Sequence, residues 1–338
     1  MTTAVPPPAE FPDQSVPWHY GDPGREQRDL EGGLAWVDLS NRGVVTVTGA
    51  DRLGWLNDLT TALLLDLPAG EPRTALILDP NGRVEHELHV VDDGGTTWLI
   101  VPPGSGAPIA DYLRSMQFLR RVEVADVTDE YAVVGSLGSS AIPGAVVTWR
   151  VPAEFAGTGV TPSGEDRGGD AGKYVRQRPG CFPALESVVP RAELSQVMAG
   201  APGLAGTWAW EALRIAAGVP RAGVDTDART LPHEMGWIGS AVHLAKGCYR
   251  GQETVARTHN MGRPPRRLVL LHLDGMAEGL PPAGAPVSDG DRDVGHVTSS
   301  ARHHELGPIA LAVVKSRTDP ARQLLVAGID AAQEPIVV

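Results

Sequence analysis

The sequence has only two cysteines, Cys181 and Cys248, among its 338 residues. Two thiols are too few for a four-thiolate iron–sulfur cluster or a cysteine-rich zinc site. The sequence also lacks any run of about eighteen apolar residues, which excludes a membrane-spanning helix. No basic segment followed by an apolar stretch stands near the N-terminus, so a secretory signal is not expected. We therefore expect a cytoplasmic protein with free thiols and no membrane partner.

Positive charge is also scarce, since 29 Lys and Arg residues face 41 Asp and Glu residues, for a formal net charge of −12. A negative field repels phosphate backbones, so we do not expect nucleic-acid binding. The P-loop and Rossmann glycine motifs are absent, and His233-Glu234 lacks the rest of a zinc-protease motif. His86 and His89 stand three apart on a predicted strand and face opposite sides, so no shared metal is expected.

The length and a hydrophobic content of 42% allow two to three packed domains. We predict a flexible, Pro-rich arm over residues 1–24 and an α+β lobe over 25–130. A second α+β lobe over 131–264 carries Cys248, and interleaving of these two lobes in sequence is left open. Residues 265–338 alternate short β-prone runs with turn residues, which predicts a small β-barrel. The Gly- and Asp-rich stretch 157–172 is predicted to be a long loop.

Local signals place regular elements inside these lobes. Asn81-Gly82 stands between β-prone runs and predicts a hairpin, so the first lobe holds an antiparallel meander. Apolar spacing predicts a helix from about Ala107 to Phe118. A second helix is predicted over 208–217, where Gly218 supplies a C-terminal stop.

Cys248 stands in the segment that carries the most chemistry. Lys246 and Arg250 lie two residues to either side, and Gly247 and Gly251 suit a tight loop with exposed amides. A helix is predicted to begin at Gln252, so its dipole and the two cations would favour a thiolate. The alternative is that Cys248 is a small buried apolar residue, as free cysteines commonly are. Cys181 has no adjacent cation and is predicted to be structural.

A resemblance to a known family is carried by one run of eight residues, with a second stretch in support. The run is Lys246-Gly247-Cys248-Tyr249-Arg250-Gly251-Gln252-Glu253. It resembles the K-G-C-[YF]-x-G-Q-E signature of the YgfZ family. The stretch 210–220, which ends in Ala217-Gly218-Val219-Pro220, resembles a helix of the same family. The resemblance implies a tetrahydrofolate-binding protein that acts through Cys248 in assembly or repair of iron–sulfur clusters in transiently bound client proteins.

That family is similar in fold to the glycine-cleavage T-protein, an aminomethyltransferase. The likeness implies three lobes around a folate cavity, with antiparallel α+β sheets and a C-terminal β-barrel. Where the T-protein has an acidic pair, this sequence has His86-Glu87, a departure that argues against aminomethyl transfer. For the folate itself, the resemblance offers Arg214 as a cation, Glu186 as an acid for pterin nitrogens, and Glu87 as the carboxylate kept from the pair.

Two other functions stay open at this point. One is a folate-dependent aminomethyltransferase or demethylase, which would not need Cys248. The other is a tRNA- or protein-binding module that keeps only the scaffold. The net charge of −12 argues against RNA binding.

Overall fold

The computed structural model describes residues 3–139, 141–152, 182–276 and 279–337. Its helices are α1 (Pro23–Glu31), α2 (Arg52–Leu59), α3 (Gly106–Ser115), α4 (Leu194–Ala199), α5 (Thr207–Ala216) and α6 (Gln252–Met261). None of the helices in these ranges is long and apolar enough to cross a membrane. The predicted loop 157–172 and Cys181 lie outside the described residues.

Ten strands form two five-stranded sheets. They are β1 (Trp36–Asp38), β2 (Gly43–Thr48), β3 (Pro72–Leu78), β4 (Val84–Asp92), β5 (Thr96–Val101), β6 (Glu123–Asp126), β7 (Tyr131–Leu137), β8 (Val147–Arg150), β9 (Ala184–Pro190) and β10 (Leu204–Ala205). The first sheet has the order β3-β4-β5-β2-β6 and is antiparallel throughout. The second has the order β10-β1-β7-β9-β8 and is antiparallel except between β1 and β10. Because β1 precedes the first sheet in the chain but joins the second, the two sheets interleave in sequence.

The C-terminal segment forms a closed barrel in the order β11-β14-β13-β12-β15-β16. Its strands are β11 (Arg266–Leu273), β12 (Pro286–Asp289), β13 (Arg292–His303), β14 (Gly307–Lys315), β15 (Leu324–Val326) and β16 (Ile329–Pro335). The predicted α+β class, with largely antiparallel sheets and a C-terminal β-barrel, is confirmed.

Helix α5 is almost entirely buried. The sequence predicts one buried face through Trp210 and Leu213, but residues 209–216 are all buried. The reason is that α5 packs against α1 on one side and against barrel strands β13 and β14 on the other. One continuous hydrophobic core therefore includes residues from both sheets, α5 and the barrel.

Several residues of the segment predicted to be a flexible arm pack against the rest of the protein. Asp13 and Val16 are buried, and the Trp18 ring stacks on Trp208 of α5 with a centroid distance of 5.2 Å. The Asp13 carboxylate also binds Arg221, with an Nη1–Oδ2 distance of 2.6 Å. Proline content predicted an absence of regular structure, but these side chains are held by aromatic stacking and a buried ion pair, which need no helix or strand.

The hairpin and helix predictions hold with small shifts. The Asn81-Gly82 turn joins β3 to β4, and Gly218, with φ +59°, follows the end of α5. Helix α3 ends at Ser115, three residues earlier than predicted. Met116, which directly follows the helix, is exposed.

Candidate functional site

A cavity lies between the two sheets and the loop that follows α5. The empty space within it, including the part that is open to solvent, is about 730 Å³. Its walls include Trp149, Phe182, Trp210 and Trp237, so much of the lining is aromatic. An apolar lining with a few convergent polar groups is typical of a small-molecule site.

Strand β4 brings two polar side chains into this cavity. Glu87 and His89 are two residues apart, so strand alternation places both on the same face. His86 points the other way and contacts the Tyr112 ring of α3, with a centroid distance of 6.5 Å. The prediction that His86 and His89 face opposite sides is confirmed.

Glu87 keeps part of its carboxylate available to the cavity. Its Oε2 accepts a hydrogen bond from the Ala222 backbone N–H at 3.0 Å. Its Oε1 lies 3.7 Å from His89 Nε2, beyond direct hydrogen-bond distance. On β3, opposite His89, the buried Thr74 Oγ1 has no hydrogen-bond partner among the described residues. These atoms are available to a ligand with polar edges.

Glu186 lies on β9, and both oxygens of its carboxylate have partners. One oxygen accepts from the Arg42 guanidinium and the other is 2.9 Å from His89 Nδ1. Burial alone would raise the pKa of Glu186, but Arg42 and His89 outweigh it and lower that pKa to about 2. Glu186 is therefore an ionised group with two cationic partners, and its assignment to pterin nitrogens stays a prediction.

Arg214 also lines the cavity, and it is buried rather than a surface charge. Its guanidinium is held by Glu211 and Asp225, with an Nη1–Oδ2 distance of 2.8 Å to Asp225. Burial alone would lower the pKa of Arg214, but the two carboxylates outweigh it and raise it. Its assignment as the folate-binding cation stays a prediction, and both carboxylates compete with any ligand for it.

The segment around Cys248 lies elsewhere, between a 3₁₀ turn (Pro232–Met235) and α6. Cys248 is exposed, as a reactive thiol requires, and it does not line the cavity. Gly251, with φ +82°, brings this segment against the β3–β4 turn, where an added Cβ would lie 2.6 Å from the Asp79 carbonyl oxygen. Only glycine fits there, so one motif residue has a packing role.

The two cations predicted to stabilise a Cys248 thiolate are engaged with other groups. The Lys246 ammonium is buried at the end of α2, where it donates to the carbonyl oxygens of Asn57, Thr60 and Ala62. Burial lowers the pKa of Lys246 to about 8. Arg250 pairs with Glu85 on β4 at 3.2 Å. The sequence placed these cations near the sulfur but could not show their partners.

The other motif residues occupy buried and exposed positions of this segment and the first turn of α6. Tyr249 is buried, and its ring centroid lies 5.1 Å from Lys246 Nζ. Gly247 is exposed, and α6 begins at Gln252, with Glu253 in its first turn. Among the described residues, no group of three or more His, Cys, Asp or Glu side chains could hold a metal ion.

Comparison with known protein families matches both ends of the chain. The family described as GCVT N-terminal domain matches residues 7–143. The family described as glycine cleavage T-protein C-terminal barrel domain matches residues 266–334, the region of the closed barrel.

Two relatives and one solved structure extend the comparison. The aminomethyltransferase of Streptomyces avermitilis is 29% identical, over 90% of this chain and 84% of its own length. That of Streptomyces coelicolor is 28% identical, over 92% and 85%. The structure of glycine cleavage system aminomethyltransferase T from Bartonella henselae superposes with a TM-score of 0.74, covering 98% of this chain and 92% of that one. Its 18% identity makes it evidence for the fold alone.

Proposed function

Because the chain carries a GCVT N-terminal domain and a T-protein C-terminal barrel domain, we propose that it is a folate-dependent one-carbon transferase. The ligand is a reduced folate that binds in the central cavity. One observation carries the proposal: the Glu87 carboxylate faces an aromatic-walled cavity at the place where the T-protein resemblance expects an acidic group.

The cavity fits the chemistry of a folate. A pterin presents several N–H donors along one edge of a planar ring, and a carboxylate is the matching acceptor. Glu87 Oε1 and the unpartnered Thr74 Oγ1 supply acceptors, while Trp149 and Trp237 supply apolar walls.

Each of these residues has a separate part in the proposed reaction. Glu87 accepts hydrogen bonds from the bound ligand, and its own position is fixed by the Ala222 N–H. The tryptophan walls exclude water, which strengthens polar contacts inside the cavity. When bound, tetrahydrofolate supplies the amine nitrogens that accept a one-carbon unit.

The departure from the acidic pair is compatible with this role. His86 occupies the first position of the pair and faces α3, outside the cavity. Glu87 occupies the second position and reaches the cavity with a side chain one methylene longer than aspartate. A single carboxylate thus takes the place of two, and we propose that it is sufficient for binding.

The test is calorimetric binding of tetrahydrofolate to the full chain, together with an assay for methylene transfer to it. We expect Glu87→Gln to weaken binding by about 10- to 100-fold, because a buried acceptor of charge-assisted hydrogen bonds is lost. The matched control is Glu85→Gln, an exposed residue of β4 that pairs with Arg250 and does not line the cavity, which should bind as the unaltered protein does. Equal affinity of both variants, or no binding by the unaltered chain, would refute the proposal.

The exposure of Cys248 supports a second candidate, the YgfZ-like role in assembly or repair of iron–sulfur clusters in client proteins. A thiol on the surface can reach a cluster held by another protein, and thiolates are the usual ligands of such clusters. Cys248→Ala should then abolish rescue of iron–sulfur enzyme activity in a deletion strain while folate binding is kept. Full rescue by Cys248→Ala would eliminate this candidate and leave the transferase standing.

A further inference from the structure

His89 is held in one orientation by contacts on three sides. Its ring stacks on Trp149 of β8 with a centroid distance of 3.6 Å and an interplanar angle of 2°. Its Nδ1 is bound to Glu186 of β9 at 2.9 Å. Trp149 is itself fixed, because its indole N–H donates to the Arg73 carbonyl oxygen at 2.9 Å. Neither ring can turn without breaking one of these contacts.

Glu186 in turn forms a buried ion pair with Arg42, a residue that follows β1 in the chain. The guanidinium lies over the Trp210 ring at 5.9 Å from its centroid, so Arg42 is fixed as well. A carboxylate that binds Nδ1 of a histidine sets the tautomer and leaves Nε2 as the working nitrogen. Arg42, Glu186 and His89 form such an arrangement, because Glu186 contacts both of the other side chains.

Nε2 is the ring nitrogen that remains available on the cavity side. Its nearest charged neighbour is Glu87 Oε1 at 3.7 Å, beyond direct hydrogen-bond distance. The partners of His89 on the adjoining strands are Thr74 of β3 and Ile100 of β5, neither of which carries a charge. The charged groups around the ring are therefore Glu186 and Glu87, with Arg42 behind Glu186.

These carboxylates favour the protonated ring. Burial by itself lowers the pKa of His89, but Glu186 and Glu87 outweigh it and raise that pKa to about 9. At neutral pH the side chain is then an imidazolium, with a proton on each nitrogen.

We propose that His89 is the proton donor of the cavity, acting through Nε2–H, and that Glu186 and Arg42 are its positioning residues. The inference rests on the proposed function for the identity of the acceptor, a nitrogen of the bound amine or folate. No residue of the Cys248 segment takes part.

The Nε2–H bond breaks, and its proton passes to the lone pair of the acceptor nitrogen, which gains one positive charge. The imidazolium becomes a neutral imidazole, and Glu186 stays ionised throughout. Solvent at the cavity opening returns the proton after the product leaves.

The first test needs no ligand and no variant. NMR titration of the histidine rings in the full chain should give His89 a midpoint near pH 9. Protonation of a ring stacked on Trp149 should change the tryptophan fluorescence over the same pH range. A midpoint near the ordinary value of about 6.5 would overturn the proposal, whatever the protein binds.

The second test separates donation from mere packing. In the transfer assay, His89→Gln should lower kcat by about 10²- to 10⁴-fold with little change in KM, as loss of a proton donor does. Glu186→Gln should move the His89 midpoint downward and shift the alkaline limb of the kcat profile with it. If this variant does not fold, the titration of the unaltered chain and the kinetics of His89→Gln still decide the matter.

The matched control is His86→Gln, three residues away on the outer face of β4, which should leave kcat unchanged. Equal kcat for His89→Gln and the unaltered chain would overturn the donor role. A chain that binds no folate but shows the raised His89 midpoint would refute the proposed function instead, so the two failures are distinguishable.

Discussion

The central cavity and the Cys248 segment differ in where their charged groups are directed. In the cavity, Glu87 and His89 point into an enclosed space that a ligand can enter. In the Cys248 segment, Lys246 points into the protein and Arg250 pairs with Glu85 across the surface, so the sulfur is exposed without a bonded cation.

The difference shows that residues of a compact sequence motif can serve mainly to hold a segment of the fold in place. Lys246 caps carbonyl groups at the end of α2, and Gly251 permits close contact with the β3–β4 turn. Both residues hold the segment in place. The cavity, whose polar residues come from distant parts of the chain, carries no compact motif and yet contains the arrangement suited to acid–base chemistry.

The largest effect is expected from the ion pair that supports the cavity. Glu186→Ala leaves the Arg42 and His89 cations without their shared carboxylate and should cost about 3–5 kcal/mol in the free energy of unfolding. Its counterpart on the Cys248 side, Glu85→Ala, breaks an exposed pair with Arg250 and should cost below about 1 kcal/mol. Urea unfolding of both variants measures the contrast. Similar losses would show that the two regions do not differ in this way.

The second prediction concerns pH. Because folding raises the pKa of His89 from 6.5 to about 9, its contribution to stability is complete below pH 6.5 and is lost as the pH rises through 9. At about 1.4 kcal/mol per pKa unit, the loss is roughly 3 kcal/mol. His89→Gln should remove this slope from the unfolding free energy measured between pH 6 and 10. A slope that persists in the variant would assign it to another group.

The features that the sequence could predict are those that depend on residues close together in the chain. Asn81-Gly82, Gly218 and the alternation of the C-terminal strands are local signals, and they located the hairpin, the end of α5 and the barrel. The cluster around His89 is not local, since Arg42 lies 144 residues and His89 lies 97 residues from Glu186. Only the folded chain brings them together, although the two-residue spacing of Glu87 and His89 on a strand was a usable signal.

Cys248 and Lys246 illustrate the opposite limit. Sequence proximity suggested that Lys246 acts on the sulfur, because the two residues stand two apart. Its long side chain instead reaches carbonyl groups more than 180 residues away in sequence. Charge patterning predicts which groups are present, but not where a flexible side chain ends.

A third prediction tests the structural role of the motif. Lys246→Met removes the donor to three carbonyl groups and should lower the free energy of unfolding by about 1–3 kcal/mol. Lys315→Met is the matched control, because that exposed lysine donates to a single carbonyl oxygen, that of Asp293. The control should change stability by less than about 0.5 kcal/mol. Thermal unfolding of the two variants gives the comparison, and a neutral Lys246→Met would contradict a capping role.

The smallest effect on stability is expected at the sulfur itself. Cys248→Ala removes an exposed side chain and should change the free energy of unfolding by less than about 0.5 kcal/mol. In the unaltered, folded protein, the thiol should react with iodoacetamide without prior unfolding. A loss above about 2 kcal/mol, or a thiol that reacts only after denaturation, would place Cys248 in the interior and end its candidacy as a surface group.

A crystal structure of the chain with tetrahydrofolate tests the central claim most directly. The account predicts the pterin in the cavity, within hydrogen-bond distance of Glu87 and with the His89 ring still stacked on Trp149. A folate bound on the surface beside Cys248, with the cavity filled by solvent, would contradict it.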